Sequence, residues 1–184
     1  MKYFVGLDLS LTGSGLSILD EKGKIVKTEL IKSKKTGEKP VDELLRIMEI
    51  RNNIFNAITS TKKIKTDDGD ALYYAIEGMA FLAKGTSLVQ LAALNYFIRE
   101  WIMYDEHKFV IIAPTSLKRF ATGKGNSEKD HMILEAYKKF GIDNIDNNIA
   151  DSLFLASAAS MFFGDIKTQN NFQKETIDLL KKQL

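Results

Sequence analysis

The sequence predicts an α/β fold in which a five-stranded mixed sheet is flanked by helices and followed by a C-terminal helical tail. Short apolar runs separated by turn residues fill the first third of the chain, which is typical of strands. Beyond residue 40, helical apolar spacing alternates with further strand-like runs. A chain of 184 residues with 45% hydrophobic content is sized for one core. We therefore predict a main domain over residues 1–164 and a helical extension over residues 165–184.

The first three apolar runs predict an antiparallel meander. They cover residues 3–8, 16–19 and 24–31. Turn-forming residues separate them at 13–15, which is Gly-Ser-Gly, and at 20–23, which ends in glycine. The first turn lacks the Lys and Ser/Thr of a phosphate-binding P-loop, so we interpret it as a hairpin.

The rest of the chain predicts alternating helices and strands. Helical spacing after Pro40 predicts a helix over residues 41–59, and the spacing over residues 87–104 predicts a second. Strands are predicted at 72–77 and 109–113, and a helix of small residues is predicted around 148–156. Residues 113–131 predict a basic loop. Residues 169–184 predict an amphipathic helix that packs on the domain edge or on a partner, with nucleic-acid binding by its lysines as the alternative.

The composition excludes several classes of site. The absence of cysteine excludes disulfides, thiolate metal sites and a cysteine nucleophile, and two histidines argue against a histidine-rich zinc site. With 26 basic and 24 acidic residues, any nucleic-acid surface must arise from local placement. The sequence shows neither a signal-peptide pattern nor an apolar run of roughly 20 residues. We therefore expect a soluble cytoplasmic protein with no membrane partner.

Three acidic residues interrupt segments that are otherwise suited to burial. Asp8 and Glu77 end apolar strand-like runs, and Asp151 lies in the predicted first turn of the small-residue helix. An unpaired buried carboxylate is unfavourable, and carboxylate oxygens are ligands that Mg²⁺ prefers. The three residues together predict a shared cation. Singly, each has an ordinary alternative as a turn residue or as a partner of a helix dipole.

Two residues near Asp151 are further ligand candidates. Asn148 is three positions away, so it shares a helical face with Asp151 and has an amide oxygen suited to binding metal or orienting water. Asp146 and Asn147 are suitable N-cap residues for the same helix. Asp146 is also a reserve fourth ligand.

The predicted basic loop has the composition of a phosphate-binding segment. Gly123 and Gly125 permit a tight backbone near an anion. Positive charge comes from Lys118, Arg119, Lys124 and Lys129. A basic loop alone is most often solvated surface, so its interpretation depends on the carboxylates nearby.

In order and spacing, these motifs resemble those of the RuvC family of Holliday-junction resolvases, within the RNase H-like superfamily. The resemblance covers about residues 2–163. Its motifs are residues 6–10 around Asp8, Ile76-Glu77, residues 114–129 with their lysines and glycines, and residues 148–151. The chain departs from the family at Asn148, where a charged or imidazole ligand is usual, and at Phe81, which begins its Phe-x-x-Lys segment one residue late.

The resemblance implies an RNase H-like endonuclease that resolves Holliday junctions or related branched DNA by paired symmetric nicks. It implies two Mg²⁺ ions per active site, with Mn²⁺ as a substitute, held by Asp8, Glu77, Asn148 and Asp151. Lys118 and Lys129 would act on the scissile phosphate. Implied DNA contacts are Phe81, Lys84, Arg119 and Lys124. The expected setting is the cytoplasm of a bacterium or of a virus-infected bacterial cell.

Two symmetric cuts in a junction with approximate two-fold symmetry call for a homodimer, and the helix over residues 87–104 is the predicted interface. Two alternatives remain. The substitution at Asn148 motivates a junction-binding factor of the same fold that does not cleave. An Asp-ended strand followed by glycines also begins the phosphotransferases of the actin-like superfamily, although that architecture normally needs two domains.

Overall fold

The computed structural model describes residues 1–35, 37–65, 69–79 and 86–183, and it has a five-stranded mixed sheet. The strand order is β3-β2-β1-β4-β5. Strands β1, β2 and β3 form an antiparallel meander, and β4 and β5 run parallel to β1. The sheet confirms the predicted fold class. The strands are β1 (Lys2–Asp8), β2 (Gly13–Asp20), β3 (Ile25–Lys32), β4 (Ala71–Glu77) and β5 (Lys108–Ile112).

Helices cover both faces of the sheet. Because side chains alternate along a strand, Val5 packs with α1 and α2 on one face, whereas Phe4 packs with the remaining helices on the other. Within the described residues the helices are α1 (Pro40–Thr59), α2 (Thr86–Tyr104), α3 (Pro114–Thr122), α4 (Lys129–Phe140), α5 (Asn147–Phe163) and α6 (Asn171–Leu180). A 3-10 turn, Lys181–Gln183, follows α6.

The prediction of a basic loop over residues 113–131 is wrong. Pro114 begins α3 at a position where its missing N–H is not needed, and Leu117 and Phe120 bury one face of the helix. Gly123 then ends α3 with a left-handed backbone, φ 82°. The basic residues therefore lie on a helix, on the first residue of α4 and on the short connection between them.

The Gly-Ser-Gly segment at residues 13–15 is also not the predicted turn, because it begins β2. The chain reverses before it, where Ser14 Oγ accepts a hydrogen bond from Ser10 N and donates to Ser10 O. The second predicted hairpin turn is confirmed, since Gly23 has φ 75° and Asp20 Oδ1 accepts from the backbone of Lys22 and Lys24. The first two strands are thus joined by a turn stabilised by serine rather than glycine.

Helices α2 and α6 correspond to the segments predicted to contact a partner, the domain edge or nucleic acid. Helix α2 buries Leu94, Ile98 and Ile102 and leaves Tyr96 exposed. Helix α6 packs on the domain, where Ile177 and Leu180 join the core. No helix in the described stretches combines the length and apolar character needed to cross a membrane.

The outer edge of the sheet carries a side-chain bridge. Gln183 Oε1 accepts a hydrogen bond from Ile111 N at 2.9 Å, and Gln183 Nε2 donates to Ile111 O at 2.7 Å. Gln183 is therefore fixed to β5, which is an edge strand.

Candidate active site

The ends of two parallel strands bring the first two carboxylates together. Leu7 and Ile76 are paired across β1 and β4, and Asp8 and Glu77 follow them directly. Asp8 is buried, with 7% of its surface exposed. Asp151 approaches from α5, where it lies in the second turn rather than the predicted first, because the helix begins at Asn147. The sheet and α5 together therefore form an acidic site.

Burial and mutual repulsion raise the pKa of all three acids. Burial is the largest cause for Asp8, followed by the charge of Glu77, and the pKa of Asp8 lies well above its usual range. A hydrogen bond between the two side chains raises the pKa of Asp8 and lowers that of Glu77. Burial nevertheless raises the pKa of Glu77 to about 7. Burial, and then the charge of Asp8, raises the pKa of Asp151 to about 7.

The acidic site is suited to binding a hard cation. Asp151 Oδ1 is buried and has no hydrogen-bond partner within the described part of the chain. A buried acceptor without a donor is unfavourable, and a divalent cation would satisfy it while relieving the repulsion among the acids. No three carboxylate or imidazole groups of the described residues meet closely enough to hold one ion by themselves. The donor set therefore fits cations that take their remaining ligands from water or substrate.

Two predicted lysines lie within electrostatic range of the acids. The charge of Lys118, on α3, offsets part of the burial that raises the pKa of Glu77 and Asp151. The charge of Lys129, at the start of α4, acts in the same direction on Asp8 and Asp151. Each of the three acids is therefore within range of at least one lysine charge.

The other predicted basic and aromatic contacts are placed differently. Arg119 forms a salt bridge with Glu175 of α6, so its guanidinium is held by the C-terminal helix. Lys124 is exposed on the connection between α3 and α4, which a hydroxyl contact between Thr122 and Ser127 stabilises. The predicted contacts Phe81 and Lys84 lie outside the described residues.

The start of α5 uses its polar residues within the protein. Asp146 is the N-cap, accepting a hydrogen bond from Asn148 N at 2.8 Å, which confirms its predicted capping role. Asn148 Nδ2 donates to Gly13 O at 2.6 Å, and Asn148 Oδ1 accepts from Asn147 Nδ2 at 2.9 Å. Both ends of the Asn148 amide therefore have partners in the protein.

Several residues that shape the site were not predicted. A Cβ on Gly15 would lie 2.5 Å from the carbonyl carbon of Asn148, and one on Gly6 would lie 2.9 Å from Leu155 Cβ, so α5 packs directly on the backbone of β1 and β2. Ser17 and Ser152 form a buried hydroxyl hydrogen bond of 2.6 Å in the same contact. The small residues of α5 were the available sequence signal for this packing.

Arg46 is a second unpredicted contributor. Its Nη2 donates to Leu11 O, and its Nε donates to Ser33 Oγ at 3.2 Å. Since Leu11 lies in the turn after Asp8, Arg46 ties that turn to α1 and to the end of β3. No local sequence pattern distinguishes this arginine from a surface one.

Comparison with known proteins shows similarity in fold and not in sequence. No protein-family model and no curated protein sequence matches the chain. The structure of RuvC from Thermus thermophilus is 14% identical, with a TM-score of 0.66 over 86% of this chain and 94% of that chain. T. thermophilus RuvC in complex with a Holliday junction substrate is 12% identical, with a TM-score of 0.66 over 88% and 94%. The yeast mitochondrial Holliday junction resolvase Ydc2 is 13% identical, with a TM-score of 0.49 over 98% and 85%. The chain therefore has the RNase H-like fold of RuvC, as the sequence resemblance predicts.

Proposed function

We propose that this protein is a metal-dependent endonuclease that resolves four-way junctions or related branched DNA. The supporting observation is that Asp8, Glu77 and Asp151 converge at the ends of parallel strands, with Lys118 and Lys129 nearby, in a fold shared with RuvC. One of the similar structures is a complex with a Holliday junction substrate. Acids that repel one another, beside lysines and without a cysteine nucleophile, suit metal-assisted phosphodiester hydrolysis.

The three acids would hold Mg²⁺ or Mn²⁺, two ions per site. When bound, the metal supplies an activated water and stabilises the leaving oxygen. The burial of Asp8 and the partial burial of Glu77 limit competing water, and the sheet fixes their relative position because they end neighbouring strands. Lys118 and Lys129 would neutralise the phosphate and orient it toward the acids.

The proposed path of the DNA passes the connection between α3 and α4. Lys124 is exposed there and free to meet a phosphate of the backbone. Arg119 would contact DNA only after leaving Glu175, a surface ion pair of modest strength. Phe81 and Lys84 stay in the proposal through the sequence resemblance. Phe81 would stack on an unpaired base at the junction centre.

We propose a homodimer through α2, as paired nicks require. Val89, Tyr96 and Met103 are exposed and seven residues apart, so they form one apolar stripe along the helix. Sedimentation of the wild type should give a dimer, and Tyr96→Glu should shift it toward monomer. A wild type that stays monomeric at micromolar concentration would contradict the interface.

A labelled four-way junction incubated with Mg²⁺ or Mn²⁺ tests the activity. We expect symmetric nicks in opposite strands from the wild type. Asp8→Asn and Asp151→Asn should bind the junction but leave it uncut. Asp165→Asn is the matched control, since its carboxylate is 97% exposed and remote from the site. Tight binding without cleavage under either metal would favour the alternative, a structural factor for branched DNA.

A further inference from the structure

The first turns of α5 lie against one face of β2. Gly13, Gly15 and Ser17 alternate along the strand and therefore face the same side. Gly13 O accepts from Asn148 Nδ2, Gly15 contacts the Asn148 backbone, and Ser17 pairs with Ser152. These three successive contacts define where the start of α5 sits above the sheet.

We propose that Asn148 is a positioning residue, which locks α5 to β2 and so sets the place of Asp151, and that it is not a metal ligand. The inference rests on the proposed function, in which Asp151 is one of the acids that hold the metal. It replaces the sequence-based expectation that the Asn148 amide oxygen completes the metal site.

Hydrogen-bond chemistry fixes the orientation of the Asn148 amide. Gly13 O can only accept, so the atom 2.6 Å from it must be the NH₂ group. The amide oxygen then faces the Asn147 NH₂ group at 2.9 Å. A carboxylate at this position has no proton to donate and would place an oxygen against the Gly13 carbonyl. An amide is therefore the group that this contact requires.

Asp151 depends on this lock because it has little anchoring of its own. Asn148 and Asp151 are three residues apart on α5, so they lie on neighbouring positions of one face. Asp151 Oδ1 has no hydrogen-bond partner within the described residues. Its position relative to Asp8 is consequently set by where the helix backbone lies. Loosening the first turn of α5 would move the carboxylate away from the strand ends.

Asn148→Asp and Asn148→Ala distinguish a lock from a ligand. If Asn148 is a lock, both the thermal stability of the metal-free protein and Mn²⁺ affinity should fall in the order wild type, Asn148→Ala, Asn148→Asp. We expect Mn²⁺ binding at least about tenfold weaker in Asn148→Asp, the range for losing a group that orients a metal ligand. If Asn148 is a ligand, Asn148→Asp should bind Mn²⁺ more tightly than the wild type. Asn144→Asp, isosteric and exposed outside the site, controls for the added charge.

Cleavage kinetics add a second readout, since loss of positioning should lower kcat more than it raises the KM for the junction. Tighter Mn²⁺ binding by Asn148→Asp, or wild-type stability and Mn²⁺ affinity in Asn148→Ala, would overturn the proposal. Stability and Mn²⁺ binding are measured without DNA. A wild type that binds Mn²⁺ but cuts no junction would therefore refute the proposed function alone.

Discussion

Gly15→Ala is expected to move Asp151, on α5, away from Asp8 and Glu77 at the strand ends. The added Cβ would overlap the carbonyl oxygen of Asn148 and lie 2.5 Å from the carbonyl carbon. Both atoms belong to the α5 backbone, so no side-chain rotation can relieve the clash. Either α5 or β2 must move, and Asp151 moves with α5.

The size of the movement follows from the contact distances. Ordinary Cβ contacts begin at 3.4 Å, so the start of α5 must retreat by about 1 Å to clear the Asn148 carbonyl carbon and by more to clear its oxygen. Overpacking of this kind destabilises by about 1–3 kcal/mol. A displacement of 1 Å in a catalytic group reduces the rate by roughly 100-fold. We therefore expect a protein that still folds, is less stable by about 1–3 kcal/mol and cleaves at least roughly 100-fold more slowly.

Denaturant unfolding and single-turnover junction cleavage measure the two effects. Gly13→Ala is the matched control, because it makes the same change in the same strand. Its Cβ would have ordinary contacts, 3.5 Å to Leu30 Cδ1 and 3.6 Å to Asn148 Nδ2. Gly13→Ala should retain most of both properties. If Gly15→Ala unfolds and cleaves like the wild type, or if both variants lose cleavage equally, the predicted displacement of α5 is contradicted.

Further predictions concern two buried charges, on Asp151 and Lys139, and the surface salt bridge of Arg119. Burial raises the pKa of Asp151 to about 7 from 3.8, so the folded state binds its proton more tightly than the unfolded state, and stability falls as pH rises between these values. Asp151→Asn should therefore stabilise the metal-free protein by up to about 4 kcal/mol above pH 7, and it should give no gain below pH 3.8. Equal unfolding midpoints of the variant and the wild type at about pH 8 would contradict this. Burial lowers the pKa of Lys139 to about 8 from 10.5, although its Nζ donates to Ser157 Oγ and lies over three phenylalanine rings. The unfolded state then binds more protons between these values, and stability should rise with pH across this window. Urea titrations should find a steeper rise in the wild type than in Lys139→Met. Glu175→Gln, which frees Arg119 from its salt bridge, should strengthen junction binding at low salt by a few-fold; unchanged affinity would argue against DNA contact by Arg119.

The sheet and the acids were predictable because their signals are local. Apolar runs that end in Asp8 or Glu77 identify a strand and its polar end within a few residues. Parallel pairing of β1 with β4 then brings those ends together without further information. The fold and the acidic centre of the site could therefore be predicted from the sequence.

The missed features depend on contacts between distant residues. Gly15 has the composition of a turn, but its role is to admit the α5 backbone, which lies more than 130 residues away along the chain. The partners of Asn148 and Arg119 are likewise on elements distant in sequence. Helix α3 was missed because its basic residues outweigh the two apolar positions, Leu117 and Phe120, that bury it.

The bridge from Gln183 to Ile111 has a consequence for solubility. An edge strand with unpaired N–H and C=O groups is a template for pairing with another chain, and β5 is such an edge. The side-chain amide of Gln183 imitates one residue of a neighbouring strand and occupies both groups of Ile111. Gln183 thus blocks intermolecular sheet extension at Ile111, so that removing its side chain would expose a site for aggregation.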